Sequence, residues 1–99
     1  MATNYEYDTV LSDDIQEPKM YKVILLNDNY STMDFVIEVL MKIFRKSLQD
    51  ASQIMLNIHN NGQETCGIYT HEIAQTKVAQ VKTMARTNNF PLKAIIEED

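Results

Sequence analysis

Along the chain, the spacing of hydrophobic positions alternates between the pattern of a strand and the pattern of a helix. Residues 20–26 are rich in strand-forming residues and contain an apolar stretch that ends at three polar residues, which predicts a buried strand followed by a loop. Apolar residues then recur at helical spacing, so a first helix is expected to run to about Arg45. Ser31 is predicted to cap this helix, with Asp34 at the third helical position.

The second half of the chain shows the same alternation of elements. Ser47 is predicted to cap a second helix, which Gly62 ends in a left-handed conformation. A second strand is expected over 65–69, a third helix after Thr70, and a third strand over 92–97. The order strand, helix, helix, strand, helix, strand predicts an α+β fold, with a three-stranded antiparallel sheet and three helices packed on one face.

Residues 1–18 differ from the rest of the chain. They contain five acidic residues, no Lys or Arg and no sustained period, and Pro18 closes the stretch. We predict a flexible acidic N-terminal extension over 1–18 and a single core domain over 19–99. The chain shows neither a signal peptide nor an apolar run long enough to cross a membrane, so a cytoplasmic location is expected.

The composition argues against several functions. A net charge of -5 over 99 residues disfavours nucleic-acid binding, because phosphate backbones need clustered Lys and Arg. The single cysteine, Cys66, excludes an internal disulfide and is expected to be a small core residue of the second strand. Two histidines on different elements and two glycines supply neither a zinc site nor a phosphate-binding loop. No cofactor, no metal and no enzymatic activity are therefore predicted.

Two features could carry a binding function, and each also has a purely structural interpretation. The loop Asn27-Asp28-Asn29 can be ordinary turn chemistry, because Asn and Asp bond their own backbone. His59 shares a helix face with Met55, four residues earlier, but a histidine near a helix end can also act as a cation for the helix dipole. The residues by themselves leave both interpretations open.

Three separated blocks of the sequence resemble the ClpS family. Residues 20–36 resemble its opening signature, 54–59 its second helix, and 66–79 its second strand and third helix, in the same order. ClpS proteins are adaptors that bind substrates with an N-terminal Phe, Tyr, Trp or Leu and pass them to the ClpA or ClpC unfoldase of the ClpP protease. The resemblance implies the same fold and partners, a bacterial cytoplasmic location, a monomer and no catalytic site.

The resemblance also implies roles for particular residues. In the family, polar side chains meet the α-amino group of the substrate, an apolar wall receives its side chain and a methionine gates the entrance. The implied substrate-binding residues are Asn27, Asp28, Ser31, Met33, Val36, Met55, Ile58, His59 and Leu92. Of these, Asn27, Asp28 and His59 correspond to the amine contacts. Glu72 and Lys77 correspond to the surface that faces the unfoldase.

The loop departs from the usual family sequence Asn-Asp-Asp-Tyr-Thr-Pro-Met. Asn29 replaces the second aspartate, Ser31 the threonine and Thr32 the proline. Thr32 is expected to loosen the loop, because proline stiffens the first turn of a helix. Asn29 removes a negative charge near the expected amine. Recognition of the substrate amine is expected to persist, because Asn27, Asp28 and His59, which are implied to hold it, are all present.

The alternative interpretation is a protein-interaction domain like the C-terminal domain of the ribosomal stalk protein. Such a domain has a related fold and would bind translation factors through a helix surface, without a pocket for an amine. The polar loop and His59 argue against it.

Overall fold

The computed structural model describes residues 17–99, so nearly all of the predicted acidic extension over 1–18 lies outside the described residues. Six elements follow one another in the predicted order. The strands are β1 (Met20–Leu26), β2 (Gln63–Thr70) and β3 (Lys93–Glu98), and the helices are α1 (Met33–Lys42), α2 (Leu48–Asn61) and α3 (His71–Thr87).

The three strands form an antiparallel sheet in the order β2-β1-β3. Val23 and Leu25 of the central strand are fully buried in the core between the sheet and the helices. Because alternate residues of a strand point to opposite faces, Tyr21 also packs against this core, whereas Lys22 and Ile24 lie on the open face, beside the partly exposed Ile68 and Ile95. The predicted α+β class, with the helices on one face of the sheet, is confirmed.

The first helix begins one residue later than predicted. Thr32 is its N-cap, because the Thr32 hydroxyl accepts a hydrogen bond from the Phe35 amide at 3.1 Å. The prediction that Ser31 is the cap was wrong, and Asp34 is the second helical residue rather than the third. Two adjacent hydroxyl residues can both cap a helix, and the contacts of the preceding loop decide between them.

The same helix also ends earlier than predicted, at Lys42 rather than near Arg45. Ile43 and Phe44 continue the apolar period, but they are buried in the turn that follows the helix. Arg45 adopts a left-handed conformation, with φ 57°, which stops the helix. The apolar spacing extended the predicted helix because turn residues also pack into the core.

The caps and ends of the other helices follow their local chemistry. The Ser47 hydroxyl accepts a hydrogen bond from the Asp50 amide at 3.1 Å, and Gly62 ends α2 in the left-handed region, with φ 89°. Both predictions are confirmed. Thr70 stands at the N-cap of α3, but its side chain makes no capping hydrogen bond within the part of the chain that the structure describes.

Cys66 occupies the predicted core position, with 1% of its surface exposed. Burial raises the pKa of its thiol to about 12, so the thiol stays protonated at neutral pH. Since the thiolate is the reactive form of cysteine, Cys66 is a packing residue and not a nucleophile. Within residues 17–99, no three His, Cys, Asp or Glu side chains are grouped so as to hold a metal ion. None of the helices described here is both long enough and apolar enough to span a membrane.

Candidate functional site

The carboxyl ends of β1 and α2 meet at one corner of the domain. Gly62 turns the chain from α2 directly into β2, and Gln63 at the start of β2 pairs with Leu26 at the end of β1. The Asn27 amide then donates a hydrogen bond to the Gly62 carbonyl at 2.8 Å. The loop after β1 is therefore held against the end of α2, where His59 lies in the last turn.

That loop folds around the carboxylate of Asp28. One carboxylate oxygen, Oδ1, accepts hydrogen bonds from the amides of Tyr30 at 2.8 Å and Ser31 at 2.6 Å. The structural interpretation of the loop as turn chemistry is thus correct for this oxygen. The second oxygen, Oδ2, and the Ser31 hydroxyl are buried and have no hydrogen-bond partner among residues 17–99. Leaving such atoms unpaired is costly, so this corner retains unused bonding capacity.

Asp28 is charged at neutral pH. Partial burial disfavours the charged form, but the Ser31 hydroxyl and the amides of Ser31 and Tyr30 outweigh this, and the pKa of the carboxyl lies below its ordinary value of 3.8. The Ser31 hydroxyl lies close enough to favour the charged carboxylate, although within residues 17–99 it makes no hydrogen bond of good geometry. Because the pKa is lower in the folded chain, Asp28 stabilises the fold above its ordinary pKa. That contribution is lost as the pH falls through the lower folded value.

A cavity of about 250 Å³ opens between this loop and α2. Its lining residues are Asn27, Asp28, Asn29, Ser31, Met33, Val36, Met55, Ile58 and His59. The loop and the end of α2 make one side polar, whereas α1 and the middle of α2 make the other side apolar. Val36, Met55 and Ile58 are at most 9% exposed and form the floor, while Met33 is 49% exposed. A cavity of roughly 150 Å³ can hold a benzene ring, so the space suits one large side chain.

The structure brings together eight of the nine residues that the resemblance implies for substrate binding. Leu92 is the exception, because it is buried in the core just before β3 and lines a different groove, beside α3. Its implied role in the wall of the substrate pocket stays a prediction. Asn29, a departure from the family loop sequence, also lines the cavity, and the sequence did not predict this. Its position next to Asp28 in the sequence is the feature that could have indicated a place in the cavity.

The substitution of threonine for proline at position 32 adds a contact. A proline is best accommodated at the first helical position, but residue 32 is the N-cap, where a side-chain oxygen is useful. The Thr32 hydroxyl supplies that oxygen to the Phe35 amide. A capping side chain stabilises a helix by about 1 kcal/mol, which opposes the expected loosening of the loop.

Glu72 and Lys77, the residues implied to face the unfoldase, have different environments on α3. Glu72 is exposed in the first turn of the helix. Lys77 is half-buried, and its ammonium donates a hydrogen bond to the Ile43 carbonyl at 2.8 Å, at the end of α1. It also lies 5.7 Å from the centre of the Tyr69 ring. A cation at a helix carboxyl end is stabilising, so Lys77 connects α3 to α1.

This contact predicts a stability effect for Lys77→Met, which keeps the length of the side chain and removes its charge. The free energy of unfolding should fall by about 1 kcal/mol, which corresponds to a melting temperature lower by roughly 4–8 °C. Thermal unfolding followed by circular dichroism measures the shift. Lys82→Met, at an exposed position of the same helix, is the control and should melt like the wild type. Equal melting of all three proteins would show that the Lys77 contact does not stabilise the fold.

Comparison with known proteins supports one family. The family model described as "ATP-dependent Clp protease adaptor protein ClpS" matches residues 16–95. A Wolinella succinogenes protein named ATP-dependent Clp protease adapter protein ClpS is 51% identical, over 99% of this chain and 98% of its own length. A Campylobacter jejuni (strain RM1221) protein of the same name is 60% identical, over 86% of this chain and 88% of its own.

A solved structure agrees with the same family. The structure of Agrobacterium tumefaciens ClpS2 bound to L-phenylalaninamide superposes with a TM-score of 0.81, at 34% sequence identity. The superposition covers 84% of this chain and all of that one.

The fold and the cavity define a small α+β domain with a site that joins polar and apolar side chains. The chain belongs to the family of ATP-dependent Clp protease adaptor proteins, ClpS. Both the predicted family and the prediction that the chain is an adaptor rather than an enzyme are confirmed by this membership. The comparisons do not support the ribosomal-stalk alternative.

Proposed function

We propose that this protein binds the free α-amino group and the bulky hydrophobic side chain at the N-terminus of degradation substrates, and delivers them to a Clp AAA+ unfoldase. The N-terminal residues it accepts are Phe, Tyr, Trp and Leu. The observation that carries the proposal is the cavity, which Asp28 and Ser31 line beside an apolar floor and in which each has a buried oxygen without a partner among residues 17–99. A ligand with an amine next to a large apolar group is complementary to both parts.

The ligand of the Agrobacterium tumefaciens ClpS2 structure has this chemistry. L-Phenylalaninamide carries a free α-amino group and a benzyl side chain on one carbon atom, as does the first residue of a polypeptide that begins with Phe. The superposition of that protein on this chain therefore supports the same ligand class for the cavity.

The polar side of the cavity can hold the amine as an ammonium. An α-amino group has an ordinary pKa of about 7.7–8.0 and is mostly charged at neutral pH, with three N–H donors. The Asn27 amide oxygen, a neutral ring nitrogen of His59 and the Asp28 carboxylate can accept from it, directly or through water. Each charged hydrogen bond is worth roughly 1.5–3 kcal/mol. The free oxygen of Asp28 would thereby gain the partner that residues 17–99 do not provide.

The apolar side of the cavity takes the first side chain. Burying Leu or Phe contributes roughly 1.5–3 kcal/mol, while ordering the peptide costs several kcal/mol. The balance predicts a dissociation constant near micromolar, or about -8 kcal/mol, which suits a carrier that must release its cargo. Met33 stands at the exposed side of the cavity and is proposed as the gate. It should disfavour the β-branched residues Ile and Val, which are stiff and wide at Cβ.

Delivery is the second part of the proposal. The exposed Glu72 is the proposed contact with the ClpA or ClpC unfoldase, and Lys77 supports this surface by connecting α3 to α1. We propose that the protein acts as a monomer in a bacterial cytoplasm.

Fluorescence anisotropy with labelled peptides tests the binding step. The peptides begin with Phe, Leu, Ile or N-acetyl-Phe and are otherwise identical. Phe and Leu should bind near micromolar, and Ile more weakly. Acetyl-Phe should lose about a hundredfold or more, because acetylation removes the charge and donors of the amine and leaves buried acceptors unpaired. Equal binding of the Phe and acetyl-Phe peptides would exclude recognition of the amine.

A further inference from the structure

A second groove, of about 380 Å³, lies between α3 and β3 and shares no lining residue with the cavity described above. Its floor is apolar. Ala85 and Leu92 are buried there, and Val78 and Phe90 are half-buried. The groove is larger than the cavity at the end of α2, and its floor can receive apolar side chains.

The rim of this groove is cationic. Lys82 and Arg86 of α3 and Lys93 of β3 line it, and all three are exposed. Within residues 17–99, none of them pairs with a carboxylate. The whole chain has 14 acidic and nine basic residues, so a third of its basic residues surround this groove without a counter-charge in the described part. An occupant should therefore be acidic as well as apolar.

The groove also borders an edge of the sheet. β3 pairs only with β1 in the part of the chain that the structure describes, and Lys93 and Ala94 line the groove. The outer edge of such a strand carries backbone donors and acceptors that an extended segment can bind. An extended, acidic segment with alternating apolar side chains would match all three features.

Residues 1–16 of the same chain have this composition. They contain four acidic residues and no Lys or Arg, so residues 17–99 keep ten acidic against nine basic residues. Within them, Tyr5-Glu6-Tyr7-Asp8 alternates aromatic and acidic side chains with the period of a strand. In an extended conformation, the two tyrosines would lie on one side of the segment, where they can face the floor of the groove, and the two carboxylates on the other.

The length of chain is sufficient to reach the groove. β1 begins at Met20, whose carbonyl accepts from the Asp99 amide at the far end of β3, whereas the groove lies at the Lys93 end. The six residues of β3 correspond to about 20 Å. The stretch from Asp8 to Met20 can span up to roughly 40 Å when extended.

We propose that residues 1–16 dock reversibly in the groove between α3 and β3 of their own chain, with residues 5–8 along the free edge of β3. The proposal is independent of the amine site, since the two sites share no residue. The contact is sensitive to salt, because exposed charges are screened over about 10 Å at 0.1 M salt but about 3 Å at 1 M. A docked extension is withheld from partners that bind it, and an acidic partner competes with it for the groove.

Paramagnetic relaxation enhancement in the full-length, ¹⁵N-labelled protein tests the proposal. A nitroxide is attached to a Thr9→Cys variant at neutral pH, where the buried Cys66 thiol stays protonated and is unreactive. Amide signals of residues 82–86, 90 and 92–94 should be selectively broadened at low salt, and the broadening should be lost at 1 M salt. Uniform broadening over the surface, or broadening centred on the open face of the sheet, would overturn the proposal.

Matched double variants identify the charges that hold the extension. Lys82→Gln with Arg86→Gln removes one lysine and one arginine from the groove and should abolish the selective broadening. Lys42→Gln with Arg45→Gln removes the same charges from exposed positions outside it and should preserve the broadening. Equal broadening in both double variants contradicts the role of the rim.

Two further measurements complete the test. Substitution of both tyrosines, Tyr5→Ser with Tyr7→Ser, should also abolish the broadening, and its persistence would rule out residues 5–8 as the docked segment. Mixing nitroxide-labelled ¹⁴N protein with unlabelled ¹⁵N protein should produce no broadening. Broadening in the mixed sample would show that the extension docks in a second copy instead of its own chain.

Discussion

Replacement of Asp28 by alanine should weaken binding of a peptide that begins with Phe by about a hundredfold, the largest effect expected of any single substitution in the cavity. The variant loses the charged acceptor proposed for the amine. It also removes the oxygen that accepts from the Tyr30 and Ser31 amides, so the loop loses its internal hydrogen bonds. Fluorescence anisotropy measures the affinity, and circular dichroism verifies that the domain remains folded.

Two further variants separate the charge of Asp28 from its role in the loop. Asp28→Asn keeps one acceptor oxygen for the loop amides and removes the charge, so the loss should be smaller, about tenfold. Asp34→Asn removes a charge from an exposed position of α1 outside the cavity and should bind peptide like the wild type. If Asp28→Asn and the wild type bind equally, the carboxylate charge has no part in recognition.

Replacement of His59 by alanine should weaken binding of the same peptide at least about tenfold, because one charged hydrogen bond to the amine is lost. The chain offers a matched control, since His71 is its only other histidine. His71 lies on α3 outside the cavity, with its ring 4.7 Å from that of Tyr21. His71→Ala should therefore keep the peptide affinity of the wild type.

The acetylated peptide shows whether His59 acts through the amine. If it does, His59→Ala should weaken binding of the free-amine peptide but cause no additional loss for acetyl-Phe, which lacks the charged group. An equal loss for both peptides would indicate that His59 shapes the cavity instead of contacting the amine. Unchanged affinity of the variant for the free-amine peptide would remove His59 from the site.

Local chemistry explains which parts of the fold were predictable. The hydroxyl of Ser47 and the missing side chain of Gly62 act within one helical turn, so their roles could be inferred from neighbouring residues. The choice between Ser31 and Thr32 as the N-cap could not be inferred in this way, because both are hydroxyl residues in adjacent positions. Asp28 decides it, since its carboxylate binds the Ser31 amide and leaves Thr32 to cap the helix.

The candidate site likewise has features that could be predicted from the sequence and features that could not. The residues alone left the loop and His59 with two interpretations each, and only the resemblance to a family joined them. The structure shows why they lie together, because Gly62 connects the end of α2 to the strand that pairs with β1. It also places Leu92 beside α3, where its burial depends on packing between elements distant in the sequence.

The sequence by itself determined the order of the elements, most of their ends, the family, and the residue types available for an amine and an apolar side chain. These follow from periodicity, capping and motif spacing, which act over a few residues or are read directly from the chain. Only the tertiary structure decided that the second oxygen of Asp28 is buried without a hydrogen-bond partner among residues 17–99, and that Lys77 binds the end of α1. Burial and contacts across the fold produce both features, because each depends on groups that folding alone brings together.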